Sequence, residues 1–178
     1  CIRDSYYSAD TRVCVAKSTN PSGPFKQIGH LPMEPESIRI DAHVFRDDDG
    51  KMYFYYVTFD GGNEIWGAEL SEDMVTLRPE TRTRMIHAEA PWERHRGNIV
   101  EGPVILKRGG TYYLTYSGSH FESPHYAVGY ATSESPLGPW TKHEHNPVMK
   151  STSYAHGAAH HDFARSPDGR EFFIVYHR

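Results

Sequence analysis

The sequence predicts an all-β fold in which short strands form tandem units. Three hairpin-like segments recur at a spacing of about sixty residues, and a spacing in this range is typical of repeat architectures. A second, turn-containing element recurs between them, and no segment has a convincing helical pattern. The 15 glycines and 12 prolines among 178 residues fit a chain with many tight turns.

Each hairpin-like segment consists of an apolar strand, a tight turn that ends in glycine, and an aromatic strand. The Asp-Gly and Gly-Gly pairs in these turns are strong hairpin signals. An aromatic residue follows each turn glycine by three positions, and an ionisable residue opens each first strand at the same period. The segments are 41–56, 101–116 and 160–176; the turn glycines are Gly50, Gly110 and Gly169; the opening residues are Asp41, Glu101 and His160.

The second element has the order Ser, Pro, Gly, Pro, aromatic, with the same internal spacing at 18–25 and at 133–140. A predicted strand precedes each copy, over 13–17 and 127–132, and a degenerate copy follows the strand at 65–70. Each unit therefore holds three or four short strands, which is typical of the blades of a β-propeller. The alternative is a β-sandwich in which the similarity between units is accidental.

The chain is long enough for only part of a propeller. Its 178 residues correspond to about three units, whereas propellers typically have about four to eight blades. We expect the end of one blade over 1–30, a blade over 38–90, the next over 99–150 and the start of a further blade over 157–178. A partial propeller would expose open sheet edges, which favour association.

Composition and charge exclude several classes of function. The formal net charge of −4 and the pI near 6.3 provide no basic field for a phosphate backbone, so we expect no nucleic-acid partner. No apolar run is long enough to span a bilayer, so we expect no membrane partner. The aromatic fraction of 13% argues against a disordered chain. Cys1 and Cys14 do not fix the redox compartment.

The residues that open the first strands are the candidates for chemistry. The innermost strands of a propeller line its central axis, so Asp41, Glu101 and His160 are predicted to converge from neighbouring blades. Two carboxyl groups in one pocket suit a glycosidase, in which one protonates the leaving oxygen and another activates water. Crowding raises the pKa of one of them and keeps it protonated near neutral pH. The alternative is that carboxylates near the axis only bind a cation.

Four motifs, in order and at blade spacing, resemble glycoside hydrolase family 43. They are Ile-Asp-Ala-His-Val-Phe at 40–45, Glu-Gly-Pro at 101–103 before Tyr-Tyr-Leu-Thr-Tyr-Ser at 112–117, Tyr-Ala-Val-Gly-Tyr-Ala-Thr-Ser at 126–133, and Gly-Ala-Ala-His-His at 157–161. The resemblance implies a five-bladed β-propeller, only partly covered by this chain. It also implies that the parent protein is a secreted or periplasmic O-glycosyl hydrolase. The implied reaction is hydrolysis, with inversion, of arabinose- or xylose-containing polysaccharide or oligosaccharide.

The resemblance also implies roles for individual residues. Glu101 would be the general acid, and Asp41 the carboxylate that raises its pKa and orients it. His160 would lie near the axis, where family members often hold a hydrated, structural Ca²⁺ or similar ion, and no other cofactor is implied. The family's general base is an Asp about two blades before Asp41. Asp4 and Asp10 precede Asp41 but lie on the wrong part of a blade. We therefore expect the base to lie outside this chain, and the chain alone to be inactive or nearly so.

Other side chains are candidates for binding substrate. His43 shares a strand face with Asp41, His120 lies in the loop after an inner strand, and Trp66 could stack on a sugar ring. Ordinary hydrogen bonding is an equal alternative for both histidines, and packing between blades is the better alternative for Trp66. Glu93 is a competing acid, but it precedes the first strand of its unit and is out of phase with the repeat.

Two other functions are alternatives to a glycosidase. A propeller of this kind could be degenerate, or could bind carbohydrate without cleaving it, and the upstream Asp discriminates between these cases. The His-rich segment 156–162 has the spacing of a zinc motif, but Gly157 and the strand context argue against the helix that such a motif needs.

Overall fold

The computed structural model describes residues 3–31 and 38–178, which form four consecutive antiparallel sheets. Single 3₁₀ turns occur at Pro79–Thr81 and Pro91–Glu93, and no helix in this part of the chain is long and apolar enough to cross a membrane. The sheets contain, in order, β1 (Arg3–Ala9), β2 (Arg12–Ser18) and β3 (Lys26–His30); β4 (Arg39–Arg46), β5 (Met52–Phe59), β6 (Asn63–Leu70) and β7 (Thr83–Ile86); β8 (Val100–Arg108), β9 (Thr111–Gly118), β10 (Ala127–Ser133) and β11 (Thr141–Lys142); and β12 (Ala159–Arg165) and β13 (Phe172–His177).

The four sheets are blades of a β-propeller, so the predicted fold class is confirmed. Neighbouring strands within each sheet follow chain order, and the two middle sheets have four strands each. The first sheet has three described strands and the last has two, so the described residues hold two whole blades and parts of two others. Strand β13 is an edge of the last sheet, and its residues 172–176 are all exposed and apolar or aromatic.

All three predicted hairpins are present. Strand β4 pairs with β5, β8 with β9, and β12 with β13, each across a turn that contains the predicted glycine. Gly50, Gly110 and Gly169 have positive φ, a conformation that glycine adopts without steric cost. The turns therefore explain why glycine recurs at these positions.

Strand β5 is buried between two blades, which explains its run of aromatic and apolar residues. Tyr53, Tyr55 and Val57 pack in the core cluster that the second sheet shares with the third. Phe54 and Tyr56 pack on the opposite face, in the cluster shared with the first sheet. Successive residues of a strand point to opposite faces, so a strand covered on both sides is apolar throughout.

Each innermost strand has a β-bulge near its start, with one residue in a left-handed conformation. These residues are Asp41 (φ +56°), Gly102 (φ +57°) and His160 (φ +47°), and the pairing register shifts at each.

The predicted equivalence of Asp41, Glu101 and His160 is therefore wrong for the middle blade, where Gly102 takes the equivalent position. The cause is the turn: β8 and β9 are joined by two residues, whereas the other two hairpins have longer turns. A count of nine residues back from the turn glycine reaches Asp41 and His160 in their blades. In the middle blade the same count reaches Glu101, one residue before Gly102.

The backbone N–H of each bulge residue is bonded by a side chain of the preceding sheet. The Asp41 N–H donates to Ser8 Oγ at 3.2 Å, and the His160 N–H donates to Ser117 Oγ at 2.8 Å. The Gly102 N–H donates instead to Asp41 Oδ2, at 3.0 Å. These three bonds tie each blade to the next at the axis.

A buried carboxylate anchors the segment before β8. Glu93 is 0% exposed, and its Oε2 accepts from Lys142 Nζ at 2.8 Å and from the N–H groups of Glu89 and Ala90. Its Oε1 accepts from the Tyr116 hydroxyl at 2.7 Å. The charge is therefore compensated by a cation and further donors. Glu93 is a structural anchor, and it lines neither of the two cavities described below.

We expect Lys142→Met to lower the free energy of unfolding by about 3–5 kcal/mol, because it leaves the buried Glu93 carboxylate without its cation. Lys51→Met is the matched control. Lys51 forms a surface pair with Glu69 at 3.5 Å, and such pairs contribute about 0–1 kcal/mol. Urea denaturation of both variants beside the wild type measures the difference. Equal losses in the two variants would contradict the anchoring role of Glu93.

Candidate active site

Two cavities open where the first strands of the second, third and fourth sheets meet. Each has a volume of about 470 Å³, and both are lined by Asp41, His160 and His177. They are called the Glu101 cavity and the His43 cavity. The Glu101 cavity is further lined by Phe59, Asn63, Glu101, His120 and Phe121, and the His43 cavity by His43, Gly102, His161 and Asp162.

Asp41 is held by the backbone of the neighbouring blade. Its Oδ2 accepts the Gly102 N–H, so the carboxylate lies beside the residue that follows Glu101. Burial raises the pKa of Asp41, while the nearby His160 and the hydrogen bond from Gly102 act in the opposite direction. The left-handed backbone of Asp41 is uncommon for a residue other than glycine, and such conformations persist only where surrounding contacts hold them.

Glu101 is nearly buried, and each of its carboxyl oxygens has its own donor. The residue is 9% exposed; Oε1 accepts from the Tyr126 hydroxyl at 2.7 Å, and Oε2 accepts from Asn63 Nδ2 at 2.9 Å. Burial is the main cause that raises the pKa of Glu101; the charge of Asp41 also raises it, and the two hydrogen bonds oppose the shift. Glu101 therefore keeps its proton to higher pH than an ordinary glutamate, which a general acid requires.

The sequence contains little that would identify the two donors to Glu101. Tyr126 opens one of the motifs that carry the family resemblance, but its residue type does not show that it reaches Glu101. Asn63 begins β6, where its backbone N–H donates to the Asn98 carbonyl at 2.9 Å. Its place therefore depends on how the segment before β8 packs, which no local pattern shows.

The rim of the Glu101 cavity is aromatic. Phe59 and Phe121 are 43% and 60% exposed, and no sequence pattern distinguishes them from core residues. The structure places His120 at this rim, as predicted. Its ring lies 4.8 Å from that of Phe121, and its Nδ1 accepts the Glu122 N–H at 3.2 Å. Its remaining ring nitrogen is the one available to a ligand.

His43 lines the second cavity, and its ring makes contacts between blades. Its Nε2 accepts the Ile105 N–H at 3.1 Å, so the neutral ring carries its proton on Nδ1. Burial lowers the pKa of His43 to about 4, so this ring is uncharged at neutral pH. Hydrogen bonding between blades accounts for these contacts, and the predicted role in substrate binding receives no support from them.

Trp66 lies away from both cavities, so the structure gives no place for its predicted role in substrate binding. The indole packs in the cluster between the first and second sheets, and its Nε1 donates to Glu64 at 3.3 Å. The Arg82 guanidinium lies over the ring, 4.4 Å from its centroid. Alternation along β6 decides this outcome, because Ile65 faces the third sheet and Trp66 faces the first.

His160 lies beside the two carboxyl groups. Its Nδ1 is 3.2 Å from the Tyr126 hydroxyl, and its ring centroid is 5.6 Å from that of His177. Within residues 3–31 and 38–178, no group of three or more His, Cys, Asp or Glu side chains is placed to hold a metal ion. Ca²⁺ takes roughly six to eight oxygen ligands, whereas His160 offers one ring nitrogen. Water can supply the remaining ligands of a hydrated ion, so the Ca²⁺ near the axis stays a prediction.

A family model described as Glycosyl hydrolases family 43 matches residues 3–178, which include all four sheets and both carboxyl groups of the site. The chain belongs to this family. The resemblance carried by the four sequence motifs is thus confirmed, and the two cavities lie at the axis of a family-43 propeller.

Similar proteins of known structure agree with this assignment. An endo-1,4-β-xylanase from Bacteroides thetaiotaomicron VPI-5482 superposes with a TM-score of 0.91 and 41% identity, over 97% of this chain and 59% of that one. A thermostable family-43 glycoside hydrolase gives a TM-score of 0.88 and 34% identity, over 99% of this chain and 61% of that one.

Curated relatives include two furanosidases. The β-D-galactofuranosidase xynD of Aspergillus niger is 33% identical over 94% of this chain and 47% of its own length. The extracellular exo-α-(1→5)-L-arabinofuranosidase of Streptomyces chartreusis is 29% identical over 93% of this chain and 53% of its own length. The chain therefore spans about half the length of the curated relatives it matches.

We expect His43 to lower the stability of the fold as the pH falls from about 6.5 towards 4. Its pKa is about 4 in the folded chain and 6.5 as a free group, so the unfolded state binds more protons in this window. His43→Gln can still accept the Ile105 N–H but does not titrate. Because one pKa unit corresponds to about 1.4 kcal/mol, the variant should lose about 2 kcal/mol less than the wild type between pH 6.5 and 4.5.

Urea denaturation at a series of pH values measures this difference. Asp41 and Glu101, whose pKa values are raised, contribute in the opposite direction, since their protonated forms favour the folded state as the pH falls. Both are present in the wild type and the variant, so their contributions cancel in the difference. His161, whose pKa is likewise lowered to about 4, contributes in the same direction as His43 and is also present in both. His145→Gln, at an exposed histidine, is the control. The same pH dependence in His43→Gln and wild type would contradict a buried, neutral His43.

Proposed function

We propose that the protein containing this chain is an O-glycosyl hydrolase that cleaves arabinose- or xylose-containing polysaccharide or oligosaccharide with inversion. The observation that carries the proposal is the pairing of Glu101 and Asp41 at one cavity, where burial raises the pKa of both. Membership of family 43 supports the same chemistry.

In the proposed mechanism, Glu101 is the general acid. Its proton passes to the glycosidic oxygen as the bond between that oxygen and the sugar breaks. Asp41 contributes the nearby negative charge that raises the pKa of Glu101 and favours the positive charge developing on the sugar ring. Tyr126 and Asn63 fix the carboxyl group in the plane set by their two hydrogen bonds, and they stabilise the carboxylate left after proton transfer.

An inverting mechanism needs a second carboxylate that activates water on the opposite face of the sugar. Asp4 lies on β1 with Lys17 Nζ at 3.6 Å, Asp10 lies in the turn after β1, and neither lines either cavity. Asp162 lines the His43 cavity but not the Glu101 cavity. These positions support a base supplied by a part of the protein outside this chain, and little or no activity of the chain alone.

The substrate class follows from the relatives and from the rim of the cavity. Arabinofuranosidase, galactofuranosidase and xylanase are named among the similar proteins, so a pentose or furanose residue is the best candidate for the sugar next to Glu101. The exposed rings of Phe59 and Phe121 offer apolar area to a sugar face. The relative described as extracellular supports a secreted or periplasmic location for this protein.

The first test compares the whole protein with its Glu101→Gln variant on arabino- and xylo-oligosaccharides, and on 4-nitrophenyl α-L-arabinofuranoside, β-D-xyloside and β-D-galactofuranoside. We expect the variant to lose about 10²- to 10⁴-fold in kcat/KM on the oligosaccharides, because glutamine cannot donate the proton that a sugar leaving group needs. The loss on the aryl glycosides should be smaller, because 4-nitrophenolate leaves with little help from an acid. Each assay is run with and without a chelator, which tests the Ca²⁺ prediction separately. Glu69→Gln is the matched control, since Glu69 lies on β6 in ion pairs with Lys51 and Arg78.

Two results would contradict the proposal. Full activity of Glu101→Gln on the oligosaccharides would remove Glu101 from the role of acid. A wild-type protein that binds arabinan or xylan oligosaccharides but cleaves none of the aryl glycosides would instead be a carbohydrate-binding propeller, with Glu101 holding a structural place at the axis.

We expect Phe121→Ala to weaken substrate binding while leaving the chemical step nearly unchanged. The lost ring contact corresponds to a rise in KM of about 2- to 10-fold, because aromatic contacts are worth about 0.5–1.5 kcal/mol. Steady-state kinetics on an arabino- or xylo-oligosaccharide separate KM from kcat. Phe25→Ala, at an exposed phenylalanine before β3 that lines neither cavity, is the control. A fall in kcat with constant KM would contradict the assignment of Phe121 to the binding rim.

A further inference from the structure

The hydrogen bond between Gly102 and Asp41 replaces a bond that serine makes at the two neighbouring blade junctions. At the junction of the first and second sheets, the bulge N–H donates to Ser8 Oγ, and at the junction of the third and fourth it donates to Ser117 Oγ. At the middle junction, the Gly102 N–H donates to a carboxylate on the adjacent innermost strand instead. The three junctions thus share the donor and differ in the acceptor.

The pairing register identifies the residue that corresponds to these serines at the middle junction. Ser117 pairs with Glu101, the residue directly before its bulge, and Val57 pairs with Ile40, the residue directly before the bulge of the second sheet. Ser8 takes the same place on β1, because it pairs with Val13 on the next strand. Ser117 pairs in the same way with Val128, and Val57 with Ile65. At this position the first three sheets therefore carry Ser8, Val57 and Ser117 in turn.

Val57 is fully buried and faces the third sheet. Ser117 lies on the corresponding face of the next blade, where it faces the fourth sheet. Its side chain has no atom that accepts a hydrogen bond. The Gly102 N–H therefore needs another acceptor, because an unpaired buried donor is costly. The Asp41 carboxylate meets this need.

We propose that Val57 is a positioning residue: by offering no acceptor to the Gly102 N–H, it reserves this donor for Asp41 and so holds the Asp41 carboxylate beside Glu101. A hydroxyl at position 57 would stand where Ser8 and Ser117 accept the bulge N–H in the neighbouring blades. It would compete with the Asp41 carboxylate and release it from the backbone next to the acid. The consequence for catalysis rests on the proposed function, whereas the choice of hydrogen-bond acceptor does not.

The test introduces the hydroxyl with little change of shape, as Val57→Thr in the whole protein. We expect kcat on the aryl glycosides to fall by about 10- to 100-fold while KM changes by less than roughly twofold, because a displaced catalytic group costs rate rather than binding. Val57→Ser supplies the hydroxyl in a smaller side chain, should a buried threonine prevent folding. Val15→Thr is the matched control, since Val15 is equally buried in the cluster between the first and second sheets.

The amide resonance of Gly102 provides a readout that a loss of packing alone does not move. The whole protein is labelled with ¹⁵N-glycine, and the Gly102 signal is identified by its displacement in Asp41→Asn. We expect Val57→Thr to shift this signal in the same direction as Asp41→Asn, because both remove the charged acceptor. Val57→Ala has a smaller side chain without a hydroxyl, and it should leave the signal at its wild-type position.

The outcomes separate this inference from the proposed function. If the wild type cleaves no glycoside, the proposed function fails, and the Gly102 signal alone decides the role of Val57. If the wild type is active and Val57→Thr changes neither kcat nor the Gly102 signal, the inference is overturned. A shift of the signal in Val57→Ala equal to that in Val57→Thr would also overturn it, since volume rather than the hydroxyl would then be the cause.

Discussion

The hydrogen bond from the Gly102 N–H to the Asp41 carboxylate makes one site from two blades. It exists because the β-bulge of the third sheet turns a backbone donor away from its own ladder, and because the bulge of the second sheet presents Asp41 to it. Gly102 adopts its φ of +57° without the steric cost that Asp41 and His160 bear at the equivalent positions. The side chains of the three innermost strands meet at one cavity.

Opposing effects of the surrounding blades set the pKa of Glu101. Burial between blades raises the pKa of Glu101, and the negative charge of Asp41 adds to this. The donors Tyr126 and Asn63 act against it by stabilising the carboxylate. A carboxyl group that is buried but well bonded keeps its proton to higher pH than an exposed one and can still release it. The packing that stabilises the blades therefore also sets the pKa of Glu101 at the propeller axis.

Periodic features of the chain could be predicted from sequence, and aperiodic ones could not. The hairpins, the four sheets and the shared cavity of Asp41 and Glu101 follow from signals that repeat with each blade. The structural equivalence of Asp41 with Gly102 did not emerge, because a two-residue turn in one hairpin shifts the count by one. Trp66 follows its packing alternative rather than the substrate-binding one, because alternation along β6 turns it towards the first sheet.

The anchoring of Glu93 reaches the acid through a short relay of backbone contacts. The Ile99 N–H donates to the Glu93 carbonyl, the Asn63 N–H donates to the Asn98 carbonyl, and the Asn63 side chain donates to Glu101. One of the two donors to the acid, Asn63, thus rests its backbone N–H on a segment that the buried Glu93 carboxylate anchors. Local opening of this segment would remove that support while β6 stays paired with β5. Amide exchange of residues 93–99 reports this local opening, which the global melting temperature does not.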